Sequence, residues 1–172
     1  ISFVLLVSGF GLVTGTFQLC SEERNKSEKE QIYKYGCIWG IRVNIVLTVL
    51  ILLGALIFEL PIDGSKELLV LMSLNPILLI IFEFQQIYLR SDFKNREYSY
   101  GTIINTVLLM IFSILGAYLY AAKGLIICRY IAYILTALVL LIVFKAPIYL
   151  KNGNLDDTRK KNFVENFHNK YV

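Results

Sequence analysis

Apolar runs of about twenty residues recur along this chain, divided by short charged clusters, and they constrain its fold more than any other feature. A bilayer hydrocarbon core about 30 Å thick is crossed by roughly 20 apolar residues of helix. Backbone polar groups must find their hydrogen bonds within the segment there, and a helix provides them. Runs of that length cover about 1–19, 36–58, 68–89, 100–120 and 125–144. Only 17% of the residues are charged, against about 25% in a soluble domain. The expected fold is therefore all-α: a polytopic transmembrane helix bundle of about five spans over residues 1–150. A basic, amphipathic segment at 151–172 follows.

The first run is under way at Ile1 and lacks the basic n-region and small-residue cleavage site of a signal peptide. It reads as a span, and the chain as a fragment of a longer protein. Cys20, Cys37 and Cys128 lie in or beside apolar runs with no CxxC spacing and no nearby histidine. They read as small buried hydrophobes. No catalytic residues, metal ligands or cofactor are expected.

Direction follows from Lys and Arg in the short loops. Arg24, Lys26, Lys29 and Lys34 follow the first span, and Arg90, Lys94 and Arg96 follow the third. Lys145, Lys151, Arg159, Lys160, Lys161 and Lys170 lie in the tail. The loops on the opposite side carry Lys66 and Lys123. The asymmetry places loops 21–35 and 90–99 and the tail in the cytoplasm. Juxtamembrane cations of this kind meet anionic lipid headgroups, so membrane lipids, and not nucleic acid, are the expected partners of the basic tail. Phe163, Val164, Phe167 and Tyr171 there suggest an interfacial helix.

Small and polar residues fall at helical spacing within the spans. Examples are Thr14 and Gln18 in the first, Gly36, Gly40, Asn44 and Thr48 in the second, and Asn75, Glu83 and Gln86 in the third. Thr102 and Asn105 mark the fourth span, and Arg129, Tyr133 and Thr136 the fifth. Two readings stand: close helix packing, or the lining of a polar cavity, for which Gln18, Asn44, Asn75 and Asn105 are the candidates. A charge near the bilayer centre costs roughly 3 kcal/mol on insertion scales and faces a partner or a cavity. Arg42 and Glu83 lie at similar depth and suit either an ion pair or a charged cavity. Arg129, near an end of the fifth span, can snorkel to water or join Arg42 in binding an anion, as planar guanidinium groups bind phosphate. Pro76 should kink the third span.

The stretch Tyr88-Leu89-Arg90-Ser91-Asp92-Phe93-Lys94-Asn95-Arg96-Glu97-Tyr98-Ser99 resembles a cytoplasmic loop of bacterial polysaccharide flippases. These are the Wzx-like O-antigen and capsule exporters of the MOP superfamily. Gly9-Phe10-Gly11-Leu12-Val13-Thr14-Gly15 is similar to that family's second helix, and Lys123-Gly124-Leu125-Ile126 to its fifth-to-sixth helix hairpin. In one departure, Gln18-Leu19-Cys20 stands where a basic residue is expected. The resemblance implies helices two to six of a MATE/MOP-like N-terminal lobe in the bacterial inner membrane. It also implies a flippase that moves an undecaprenyl-pyrophosphate-linked oligosaccharide to the outer leaflet by alternating access. Coupling to Na⁺ or H⁺ occurs in the superfamily, and Glu83 is the intramembrane carboxylate available for it.

Three rival readings are weighed. One is another exporter of the same superfamily, moving drugs or lipid precursors. The second is an integral-membrane enzyme, for which the chain shows no HExxH or GxSxG motif and a lone histidine, His168, in the tail. The third is a structural membrane subunit.

Overall fold

The computed structural model of the chain describes residues 11–57 and 64–149, and every regular element among them is an α-helix. The first ten residues of the first expected span and the basic segment at 151–172 lie outside the described residues. In chain order the helices are α1 (Leu12–Glu22), α2 (Lys26–Ile57), α3 (Ser65–Met72), α4 (Asn75–Ser91) and α5 (Asn95–Ile142). Three stretches are long and apolar enough to cross a membrane: Lys26–Ile57, Ser65–Ser91 and Asn95–Ile142.

The polarity of the bundle is inverted relative to a soluble protein. Val46, Leu50, Leu56, Ile103, Met110 and Ile114 are exposed, whereas Thr16, Asn44, Thr48, Gln85, Gln86, Asn105 and Thr136 are buried. Apolar side chains facing outward at this density need a solvent as apolar as themselves, and lipid supplies it. The chain is a membrane protein.

Close backbone approach holds α1, α2 and α4 together. A Cβ on Gly36 would lie 2.4 Å from the Thr16 hydroxyl of α1, and one on Gly40 2.4 Å from the Phe84 ring of α4. The Gly36, Gly40, Asn44 and Thr48 stripe is thus a packing seam. Ile80, Phe84, Tyr33, Cys20 and Cys37 form the apolar core beside it. Helix α2 also begins ten residues before the expected span, because its first turns pack onto loop residues instead of lipid.

The third expected span is interrupted. The helix breaks at Ser73–Leu74, and Pro76 falls in the first turn of α4, where a missing N–H is tolerated. The kink expected at Pro76 is therefore a break just upstream of it. Two carbonyls freed there are satisfied by neighbouring helices: Thr48 Oγ1 donates to the Ser73 carbonyl at 2.9 Å, and the Tyr130 hydroxyl donates to that of Leu71.

Helix α5 is a hairpin with two arms. Tyr120 (φ −140°, ψ 28°) and Ala121 (φ 50°, ψ −131°) leave helical geometry. A straight helix would hold Gly101 and Leu140 about 58 Å apart, yet a Cβ on Gly101 would meet the Leu140 side chain at 2.7 Å. The bend thus falls at the start of the 121–124 link between the fourth and fifth expected spans. Gly124 is not a turn residue: it is helical and packs backbone to backbone against Gly116.

Past α5 the chain turns at Lys145, with φ +52°, and residues 143–149 cross under the bundle as a strap. Gln85 Nε2 donates to the carbonyls of Ala137 (3.1 Å) and Ala146 (3.3 Å). The Tyr33 hydroxyl lies 2.9 Å from the Pro147 carbonyl, and the Tyr149 hydroxyl donates to Glu30 at 2.9 Å. Lys29 reaches both the Ser91 carbonyl and Asp92. These contacts gather the loop after α1, the loop after α4 and the start of the tail at one end of the bundle. Lys123 pairs with Glu67 at the other.

Candidate functional site

Glu83, Gln86 and Arg90 follow one another at spacings of three and four, so they form a single stripe along α4. The stripe faces a cleft of about 310 Å³ between α1, α4 and the first arm of α5. Helix α1 contributes Val13, Thr14 and Phe17, α4 adds Phe82 and Ile87 beside the stripe, and α5 contributes Tyr98 and Thr102. Gly101 brings α5 close: a Cβ there would lie 2.8 Å from Gln86 Nε2.

The cleft is graded in chemistry. Glu83 is half-buried within the membrane-spanning part. Gln86 is 8% exposed, and neither its Oε1 nor its Nε2 has a hydrogen-bond partner among the described residues. An unsatisfied buried amide costs about 1–3 kcal/mol, a cost that a hydrogen-bonding ligand would remove. Arg90 stands at the basic end with its guanidinium 4.4 Å from the Phe17 ring centre and 5.9 Å from that of Tyr98. Rings on its faces leave its in-plane N–H groups for an anion. The cleft therefore offers a carboxyl group, an amide and hydroxyls with the Phe82 ring beside them, and at its rim a guanidinium flanked by Phe17 and Tyr98.

Beside the rim, Asp92 lies between Lys29 (3.4 Å) and Lys94 (3.3 Å). Partial burial would raise its pKa, but the hydrogen bonds and charges of Lys94 and Lys29 outweigh burial and hold it below the usual carboxylate value.

The residues singled out from the sequence are not gathered in one place. Glu83 lines the cleft. Arg42 is exposed on α2 and is not among the cleft's lining residues. Asn44 is fully buried in the α2 packing seam, where its Nδ2 donates to the Gly40 carbonyl at 2.8 Å. Asn75 is buried at the start of α4, beside the helix break. Asn105 is buried one turn beyond Gly101 on the first arm of α5. Gln18 is half-buried on α1, and Arg129 half-buried on the second arm of α5. Gln86 and Arg90 complete the cleft. Their spacing from Glu83 was the available signal, but Arg90 reads as a loop cation until α4 is seen to run to Ser91.

A search of curated proteins returned no match to the chain, and a search of solved structures returned none either. A family described as polysaccharide biosynthesis protein matches residues 1–158, a stretch that includes every described helix and the whole cleft. This agrees with the resemblance carried by the loop from Tyr88 to Ser99. The chain belongs to the polysaccharide biosynthesis protein family.

Proposed function

We propose that the protein is a transporter that flips a lipid-linked oligosaccharide, an undecaprenyl-pyrophosphate glycan, across the bacterial inner membrane by alternating access. The observation that carries this reading is a polar cleft built into a lipid-facing bundle of the polysaccharide biosynthesis family. Moving a glycan through a bilayer requires hydrogen-bonding groups at membrane depth, and Glu83 and Gln86 supply them. The headgroup pyrophosphate needs a cation near the interface, and Arg90 is placed for it. The end that gathers Lys29, Arg90 and Lys94 faces the cytoplasm by the positive-inside rule, so the cleft's rim lies at the inner leaflet. Glu83 is the carboxylate available to couple transport to Na⁺ or H⁺. In this reading the protein moves its substrate without covalent chemistry and is not an enzyme.

The test is complementation. The full-length gene, expressed in a strain lacking its own polysaccharide flippase, should restore surface glycan, and Glu83→Ala should reduce it at equal membrane abundance. A correctly inserted wild type that leaves glycan on the cytoplasmic side would refute the proposal.

A further inference from the structure

We infer that the cleft between α1, α4 and α5 takes one uncharged sugar ring of the ligand and holds the ligand's phosphate at its rim, on Arg90. This rests on the transport reading and adds which part of the ligand enters where.

Three observations separate the two ends of the cleft. The first is Gln86. It is more than nine-tenths buried, it lines the cleft, and both polar atoms of its amide are unpartnered among the described residues. An amide presents an acceptor and donors in one plane. Adjacent ring hydroxyls, each both donor and acceptor, match that pattern. A phosphate, which only accepts, would leave Oε1 unsatisfied.

The second is Glu83, one turn deeper on the same stripe. Its carboxyl group hydrogen-bonds with hydroxyls and offers a phosphate no positive charge, so the depth of the cleft favours an uncharged group. The third is Arg90. Its guanidinium is held over the Phe17 and Tyr98 rings, and it stands seven residues from Glu83, about 10 Å along the helix axis. That separation matches one ring between the deep groups and an anion at the rim. A volume of about 310 Å³ is at the lower limit of small-molecule pockets. It suits a single ring with its apolar C–H face against Val13, Phe82 and Ile87.

The experiment uses the full-length protein in lipid nanodiscs and two probes. One is polyprenyl pyrophosphate carrying a single N-acetylhexosamine, and the other is the bare polyprenyl pyrophosphate. The wild type should bind the glycosylated probe about tenfold more tightly, the scale of two or three recovered hydrogen bonds. Gln86→Leu should abolish that preference and leave the affinity for the bare lipid unchanged. Arg90→Gln should weaken both probes by a similar factor. Equal wild-type affinity for the two probes would overturn the inference, as would a Gln86→Leu protein that keeps the preference. Thr102→Val, on the more exposed wall, provides a second variant should Gln86→Leu fail to fold, and it should narrow the preference severalfold. A wild type that restores surface glycan while Gln86→Leu and Thr102→Val keep full preference removes this site assignment alone. A wild type that neither restores glycan nor binds either probe removes the transport reading with it.

Discussion

Replacing Gly116 by alanine tests the hairpin directly, because the sign of the effect depends on whether the two arms touch. In a helix interior alanine is better than glycine by about 0.5–1 kcal/mol. At Gly54 nothing lies within 4 Å of the added Cβ, so Gly54→Ala should stabilise by up to that amount. At Gly116 the added Cβ would lie 2.3 Å from the Gly124 carbonyl oxygen, and at Gly124 the reciprocal distance is 2.1 Å. Backbone cannot rotate away as a side chain can, so the arms must part by about 1 Å to restore ordinary contact. Overpacking of this kind costs about 1–3 kcal/mol, and a gap of that size forfeits a quarter to a half of each dispersion contact along the seam. After the gain in helix propensity, the net loss should be about 1–3 kcal/mol. At roughly 2–4 °C per kcal/mol for a chain of this size, Gly116→Ala should melt about 2–12 °C below the wild type. Gly54→Ala should melt about 1–4 °C above it. The assay is thermal unfolding of detergent-purified full-length protein, followed by fluorescence-detected size exclusion. In one straight helix these glycines would be about 12 Å apart along the axis. A Gly116→Ala protein as stable as Gly54→Ala would therefore refute the bend.

Ala121 adopts φ 50°, ψ −131°, a conformation suited to glycine, so Ala121→Gly should raise the melting temperature by a few degrees, about 1 kcal/mol of released strain. Thr48→Val and Tyr130→Phe each leave a carbonyl at the helix break without its donor. Each should cost about 1–2 kcal/mol in the same melting assay. The depressed pKa of Asp92 means that its pairs with Lys29 and Lys94 stabilise the fold above the ordinary Asp value near 3.9. That contribution is lost as pH falls through the lower folded value. Asp92→Asn should thus be less stable than the wild type at pH 7 by at most about 1 kcal/mol, since the pairs are partly exposed. The gap should close on acidification below pH 4, and a gap that persists there would count against the assignment.

The apolar runs were legible because bilayer thickness sets their length, and the all-helical bundle follows from them. The α2 stripe at Gly36, Gly40, Asn44 and Thr48 was equally legible, but its purpose was not. Only the presence of Thr16 and Phe84 against the glycines distinguishes a packing seam from a cavity wall. The bend at Tyr120 and Ala121 falls at the boundary between the fourth expected span and the 121–124 link, and only the backbone shows that Gly124, the most turn-like residue of Ala-Ala-Lys-Gly, is helical. Gly116 and Gly124 are eight residues apart, a spacing with no meaning on one helix and a direct contact across a hairpin. Glu83 could be found in the sequence from the cost of a buried charge. The cleft could not, because its walls come from three helices that are far apart along the chain.

The tightness of that bend bears on how the protein enters the membrane. A translocation machinery carries polar loops across the bilayer, but here helix continues to within a residue of the turn on both sides. Tyr118 and Tyr120 are exposed there, as suits an aromatic anchor at the lipid–water boundary. Lys123 lies near this turn and ends beside Glu67. An arm without its partner exposes the Gly116 or Gly124 backbone surface that is packed in the finished hairpin. The natural unit of insertion is the pair of arms together.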